Sequence, residues 1–527
     1  MGKESEWEEI PKMRFSTVTE AFDHIGPSFS LAPFAEILQP LIDEVLVEQG
    51  QDRFRRGTLL MPKVLIWLVL ALTIRRDLNC QKVLNWMLSG FRWLNGLLPA
   101  QSRLVAEGTI SHARAKLGSD LFRRLFARLT ASGQEFSADF HGRMSVIFDG
   151  STGTMPDSAA NKKKFHTPTS GRGEAAFPQL RLVCLVALSL RLVLDVAYDA
   201  YVGKGTGERA LLRQILKRVV QPGLLFLMDA GLYAFELIWL ITAKNQEFLI
   251  KVPRTVKLNR LKTLPDGSYL AQVWGKIEEP EPPTSARKRR RWKKVNLVVR
   301  VIDYAIPGFR PARLMTNLLL PEITARELVR HYHQRWDIEL VYDEIKTHQC
   351  VTLRGQSPTI FRSKRPDLVE QELYAMLIMY NLVRLLIAQA ATAQAKDPGV
   401  ISFSDALQHI LDATPLLTTM DPAQRTVEFK YLLEVIAAGE IDRPRRPRLN
   451  PRVVKVKMSK FNRKGPTDKS TPRDLAGELE IVAPPSDTPA ELTIPPEPPA
   501  PIQDLISLII IATLAETASC ILSETQT

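Results

Sequence analysis

The sequence predicts a mixed α/β fold, with an all-α N-terminal part followed by a larger part that alternates strands and helices. Three observations predict it. Up to about Ser137 every apolar pattern has helical spacing. Beyond that point come short β-branched and aromatic runs, two of which stop at an aspartate, Asp149 and Asp229. Finally, ELVRHYHQRWDIELVYDEIKTHQC contains neither Pro nor Gly and reads as a helix from about Ala325 to Thr347. The expected division is a helical domain at 1–137, a strand-rich domain at 138–470 and a Pro-rich, disordered tail at 471–527.

In chain order, LLMPKVLIWLVLALTI is an apolar helix, and RRDLNCQKVLNWML and SDLFRRLFARLT are amphipathic ones. Between them, a turn at Gly108 followed by Thr109, Ser111, His112, Arg114 and Lys116 reads either as the entry to a recognition helix or as the basic edge of a helical bundle. Ser145 to Phe148 is a buried strand ending at Asp149-Gly150, before the Lys-rich loop NKKKFHTPTS. QLRLVCLVALSLRLVLDVAYDA reads as two hairpin strands, and ERALLRQILKRVV as an amphipathic helix. Leu224 to Met228 is a second buried strand, and Asp229-Ala-Gly231 opens a helix. Each Asp taken alone fits an ordinary strand-ending turn. The order strand-Asp, strand-Asp, helix-Glu is harder to obtain by chance. From about Lys244 to Pro321 the runs are β-type, broken by Pro, Gly and Lys/Arg clusters.

On the helix after Ala325, residues three, four and seven apart share a face. Tyr332, Arg335, Glu339 and Lys346 therefore fall on one stripe, with Trp336 beside it. A core-facing stripe would be Leu and Val, and a solvated one has no use for Tyr and Trp. One carboxylate among permanent cations suits a metal site that handles a phosphate: Glu339 holds the ion while Arg335 and Lys346 neutralise a phosphodiester. The alternative is a surface helix laced by Arg335–Glu339 and Asp343–Lys346 ion pairs.

The spacing Tyr332-x2-Arg335-x3-Glu339-x6-Lys346 resembles the Tyr-Arg-Glu-Lys signature of bacterial insertion-sequence transposases, the insertion sequence 4 family. Trp336 after the Arg and Ile338 before the Glu match it too. The resemblance spans roughly Arg53 to Lys464, including the wording from Arg55-Arg56-Gly57 onward and Leu353 to Leu386, where Glu372, Tyr380 and Asn381 pack the last core helix. It implies a ribonuclease H-like catalytic core with a β-rich insertion at about 244–321, and a helical domain that recognises terminal inverted repeats. It also implies that Asp149, Asp229 and Glu339 are catalytic and hold two Mg²⁺ or Mn²⁺ ions. Two such ions about 3.5–4 Å apart need several oxygen ligands. Tyr332, Arg335, Trp336 and Lys346 would contact DNA phosphates. The activity implied is metal-dependent cleavage at transposon ends and strand transfer into target DNA, cut-and-paste, with a homodimer in the synaptic complex.

The rest of the composition agrees. A formal charge of +13 calls for an anionic partner, most often nucleic acid. Cys80, Cys184, Cys350 and Cys520 are scattered without a CxxC pair, which argues against structural zinc. No signal-peptide pattern opens the sequence, so a cytoplasmic location without disulfides is expected. No uninterrupted apolar stretch reaches ~18 residues, so no membrane span is expected. The Arg287–Lys294 cluster is a solvated loop or a DNA contact in which Trp292 stacks on a base. Arg443 to Lys469 is an extended basic arm on phosphates or a disordered tail. Two other functions fit the same residues: a catalytically inactive, end-binding repressor derived from a transposase, which should lack one of the acids, and a nuclease without strand transfer.

Overall fold

A computed structural model of the chain describes residues 32–483 except 52–59, 94–104, 133–137, 171–172, 220, 279–290, 308, 350–359, 442–447, 450–452, 455–462 and 465–472. The Arg287 to Arg290 part of the first basic cluster, most of the 443–469 arm and the tail from Pro484 lie outside the described residues.

Every described element before Met144 is a helix: α1 (Ala32–Glu48), α2 (Pro62–Ile74), α3 (Cys80–Trp93), α4 (Glu107–Leu117) and α5 (Asp120–Ser132). Pro62 opens α2 at its first turn, where a missing N–H costs nothing. From Val64 to Ile74, α2 is buried on all sides, as a helix without a polar face must be. Gly108 is not a turn but sits in the first turn of α4. Its neighbours divide by helical period: Thr109, Ser111, His112 and Lys116 are exposed, whereas Arg114 is buried and pairs with Glu372 at 3.4 Å. Arg114 therefore cannot serve as a DNA contact.

The strands that follow are β1 (Met144–Thr154), β2 (Gln179–Ala187), β3 (Val193–Ala200), β4 (Leu224–Met228), β5 (Glu247–Lys251), β6 (Asn259–Thr263), β7 (Tyr269–Glu278), β8 (Trp292–Ala305) and β9 (Ala312–Thr316). They form one sheet in the order β3-β2-β1-β4-β5-β9-β8-β7-β6, with Glu480–Ile481 pairing at the end of β8. The pairs β1–β4 and β4–β5 are parallel and the remainder antiparallel. The strands between Lys244 and Pro321 thus extend the same sheet. β1 does not stop at Asp149-Gly150 but continues to Thr154 along β2. The Lys-rich stretch after it is a short helix, α6 (Ala159–Phe165), capped by Ser158.

Side chains alternate across the sheet with period two. Val146 and Phe148 of β1, with Phe226 and Met228 of β4, face a core completed by α7 (Glu208–Arg218) and α8 (Phe235–Ala243). Phe148 and Phe226 stack there at 5.4 Å. Ile147, Leu225 and Leu227 face the other way. That second core holds α9 (Ala325–His333), α10 (Asp337–Asp343), α11 (Pro366–Ala393), α12 (Phe403–Thr419) and α13 (Pro422–Ala438). By length and composition α11 is apolar enough to cross a membrane, but most of it is buried inside the protein and it serves as a core helix. Glu372, Tyr380 and Asn381 are buried on it.

The N-terminal helices join this second core. Trp67, Leu68 and Phe122 belong to the same apolar cluster as Leu377 and Tyr380 of α11. Phe126 meets Tyr374 at 5.9 Å. Removing residues 1–137 would therefore bare one side of α11. A fragment spanning 138–483 is expected to lose cooperative thermal unfolding and to bind a hydrophobic dye, as chains with exposed cores do. A monomeric 138–483 fragment with a single sharp transition would show that the two parts have separate cores.

Candidate active site

β1 and β4 lie side by side, and their register pairs Ile147 with Leu227. Carried two residues on, it brings Asp149 level with Asp229, about 4.8 Å away in the strand-to-strand direction. Both acids share the parity of Ile147 and Leu227, so both project from the face that carries α9 to α11. Asp149 is half-buried, and Asp229 keeps 47% of its side chain exposed.

Burial raises the Asp149 pKa, and the charges of Glu208 and Asp229 push it the same way. The Gly150 N–H, 2.9 Å from Oδ1, and the Arg335 guanidinium work against them. Glu208, at the start of α7, lies directly against Gly150, where any Cβ would collide with its carboxylate. A side chain at position 150 would have to displace this exposed, flexible carboxylate.

The signature segment is helical but not one regular helix. A 3₁₀ turn at Gln334–Trp336 separates α9 from α10, and a π turn follows at Glu344–His348. The expected stripe is accordingly divided. Arg335 is buried, with Nη2 3.6 Å from Asp229 Oδ1, between the rings of Tyr332 (5.8 Å) and Trp336 (5.4 Å). Its Nε has no hydrogen-bond partner. Lys346 Nζ lies 2.5 Å from Ser151 Oγ, two residues beyond Asp149, and burial lowers its pKa. In the surface-helix alternative Arg335 would pair with Glu339 and Lys346 with Asp343. Instead Arg335 and Lys346 cross to the acid strands, and Asp343 pairs with His348. Burial holds His333 down to about 4, so it is neutral near pH 7 and adds no charge here.

Glu339 is exposed on the first turn of α10, with no ion-pair partner among the described residues. Trp336 is also exposed, at 47%. Tyr332 departs from expectation. It is 3% exposed, and its hydroxyl donates to the Met228 carbonyl at 3.2 Å, so it has no free hydroxyl to offer a phosphate. Trp292 lies at the outer end of β8, four strands from β1 and roughly 20 Å away in the strand-to-strand direction alone. It does not join the acids.

Two residues at the site carry no motif of their own: Glu208 and Tyr342. The Tyr342 hydroxyl donates to the Asp149 carbonyl at 2.7 Å and accepts the Cys184 N–H at 3.3 Å. A second exposed tryptophan, Trp274, lies on the β7–β8 face under Lys294, 5.0 Å from its ring. Only its spacing to exposed neighbours, alternate along β7, could have signalled it.

Among the described residues, no three His, Cys, Asp or Glu side chains stand close enough to hold one metal ion as they are. The donor chemistry at Asp149 and Asp229 nonetheless fits a hard divalent cation. It is all oxygen, carries more negative charge than Arg335 offsets, and includes neither thiolate nor imidazole.

Residues 141–382 match the family described as Transposase DDE domain, and residues 29–127 match Insertion element 4 transposase N-terminal. The chain is 26% identical over 442 residues to the transposase InsG for insertion sequence element IS4 of Escherichia coli (strain K12), covering 82% of this chain and 93% of that relative. A solved piggyBac transposase synaptic complex with hairpin DNA aligns at TM-score 0.38 and 9% identity, over 80% of this chain and 86% of that one.

The raised pKa of Asp149 has a consequence for stability. At neutral pH its ionised form is less favourable in the folded than in the unfolded chain. This cost grows as pH rises through the carboxylate range and is absent in acid. In chelator at pH 7, Asp149→Asn is expected to leave stability unchanged or raise it by up to about 1 kcal/mol. Thermal or denaturant unfolding checks this, and a clear loss of stability would mean that the carboxylate is a structural partner.

Proposed function

Because the chain belongs to the insertion sequence 4 family of DDE transposases, and is a DNA transposase, we propose that it works by cut-and-paste, with Asp149, Asp229 and Glu339 as its catalytic acids. The observation that carries the proposal is the level placement of Asp149, within β1, and Asp229, just past the parallel β4, with the signature segment tied to both. The sheet order β3-β2-β1-β4-β5, with two antiparallel and then two parallel pairs, supports a ribonuclease H-like core.

Asp149 and Asp229 would hold two Mg²⁺ or Mn²⁺ ions together with Glu339. Bound there, the ions lower the pKa of the attacking water and neutralise charge on the phosphate. The protein's own groups do the rest. Buried Arg335 and half-buried Lys346, beside the acids, bring positive charge to the scissile phosphate, and exposed Trp336 offers a stacking face to a displaced base. The 138–470 region supplies the chemistry. The exposed face of α4, with Thr109, Ser111, His112 and Lys116, is the candidate for end recognition by 1–137. Trp292 and its neighbouring lysines on β8 meet DNA further from the cut. The partners are double-stranded transposon ends and target DNA in a homodimeric synapse, and the location is the cytoplasm.

The test is a cleavage assay on labelled linear DNA carrying the element's ends, scoring nicks, hairpins and joined products. Wild type should need Mg²⁺ or Mn²⁺ and should not be restored by Zn²⁺ after chelation. Asp149→Asn, Asp229→Asn and Glu339→Gln should each lower cleavage by more than ~10³-fold while leaving end binding nearly intact. A variant that still cleaves like wild type removes that residue from the site. Cleavage without joined products would identify a nuclease, and binding without cleavage a repressor.

A further inference from the structure

We propose that Tyr342 and Tyr332 are positioning residues, whose hydroxyls set where Glu339 stands relative to Asp149 and Asp229. The inference rests on the transposase reading of those three acids. It starts from two hydrogen bonds. Tyr342 donates to the carbonyl of Asp149 itself, and Tyr332 donates to the carbonyl of Met228, the residue before Asp229. Both rings are buried, and Glu339 lies between them in sequence. Each tyrosine thus holds the last peptide unit that aims one of the aspartates.

The Tyr342 contact does more than touch β1. Asp149 and Cys184 are opposite partners on β1 and β2. The hydroxyl takes the Cys184 N–H and donates to the Asp149 C=O, so it bridges the two sides of one rung. Tyr342→Phe leaves the rung's own pairing in place but removes the hydrogen bond by which α10, carrying Glu339 one turn earlier, holds the Asp149 peptide.

The broken helix is what lets both rings reach the sheet. Ten residues of regular α-helix, at about 100° each, would leave Tyr332 and Tyr342 roughly 80° apart around the axis. The three residues Gln334–Trp336 are 3₁₀, at about 120° each, which recovers roughly 60°. The two hydroxyls then point to the same sheet, one to the middle of β1 and the other to the end of β4. Glu339 is carried on the span between these two anchors, and no other described group pairs with it.

The experiment uses the full-length protein with Tyr342→Phe, Tyr332→Phe, Asp149→Asn as reference, and Tyr269→Phe as control. Tyr269 also gives its hydroxyl to a partner, Asp303 at 3.2 Å, but lies on β7, away from the acids. Mn²⁺ binding is followed by electron paramagnetic resonance of the free ion, alongside single-turnover cleavage and end binding. Tyr342→Phe and Tyr332→Phe should each weaken Mn²⁺ binding and cleavage by about 10–100-fold, the scale for groups that orient metal ligands. End binding should hold, and Tyr269→Phe should match wild type. Excess Mn²⁺ should recover part of the lost rate. If both tyrosine variants keep wild-type Mn²⁺ affinity, or lose no more than Tyr269→Phe, the positioning role is wrong. If Tyr342→Phe fails to fold, Tyr332→Phe decides. An Asp149→Asn protein that still binds Mn²⁺ and cleaves would instead overturn the site itself.

Discussion

Two carboxylates held level on neighbouring parallel strands, Asp149 within β1 and Asp229 just past β4, repel each other, and strand pairing does nothing to relieve it. β1 and β4 are fixed by apolar residues on both faces, including the Phe148–Phe226 stack, so neither acid can retreat along its strand. Burial is the main reason the Asp149 pKa is raised, and the charges of Glu208 and Asp229 add to it. Everything placed around the pair bears on that charge. Arg335 is drawn across from the helix to Asp229, Gly150 turns its N–H toward Asp149, and Glu208 adds further negative charge. A compact fold gains nothing from such an arrangement in the absence of a cation, which is the usual mark of a site kept for chemistry.

Holding the signature segment over this charge requires an anchor beneath it. Asp337 and Glu344, at the two ends of α10, point inward to Arg191 and Arg384. Tyr380 donates to Glu344 at 2.9 Å. All five side chains are buried, so removing any one partner leaves a charge or donor stranded in a poorly polarisable interior. Such a network is weak evidence for stability but strong evidence for a defined position. It fixes α10 and the π turn from below while Tyr332 and Tyr342 tie the same segment to β4 and β1.

Much of this was legible in the sequence, for identifiable reasons. Asp149 and Asp229 stood out because short β-branched runs delivered them, and alternation decides a strand's faces. The Arg335, Glu339 and Lys346 pattern stood out because it fits neither a core nor a solvated face. What escaped was set by tertiary contacts. The 3₁₀ and π turns need no Pro or Gly, and they replaced the expected single stripe with buried, exposed and half-buried positions. Gly150 reads as a turn because a contact with Glu208, 58 residues away, leaves no trace in local sequence. Arg114 reads as a DNA contact because its partner, Glu372, is supplied by α11. Tyr342 has no motif, since a hydroxyl set against a strand rung is visible only once the strands are paired.

The same contacts connect the N-terminal helices to the signature segment. Just past α2, Arg76 donates to the carbonyls of Lys346 at 3.2 Å and Ile360 at 2.7 Å. Gln349 reaches Thr73 at 3.3 Å and the Met376 carbonyl at 3.0 Å. Arg362 caps the Leu72 and Leu78 carbonyls. The backbone that carries Lys346 is therefore held from one side by α2 and from the other by α11. A force applied to the exposed face of α4 passes through a packed core to the residue beside Ser151. Interiors of this density transmit strain. The N-terminal helices and the placement of charge beside Asp149 are, in this chain, parts of one continuous core.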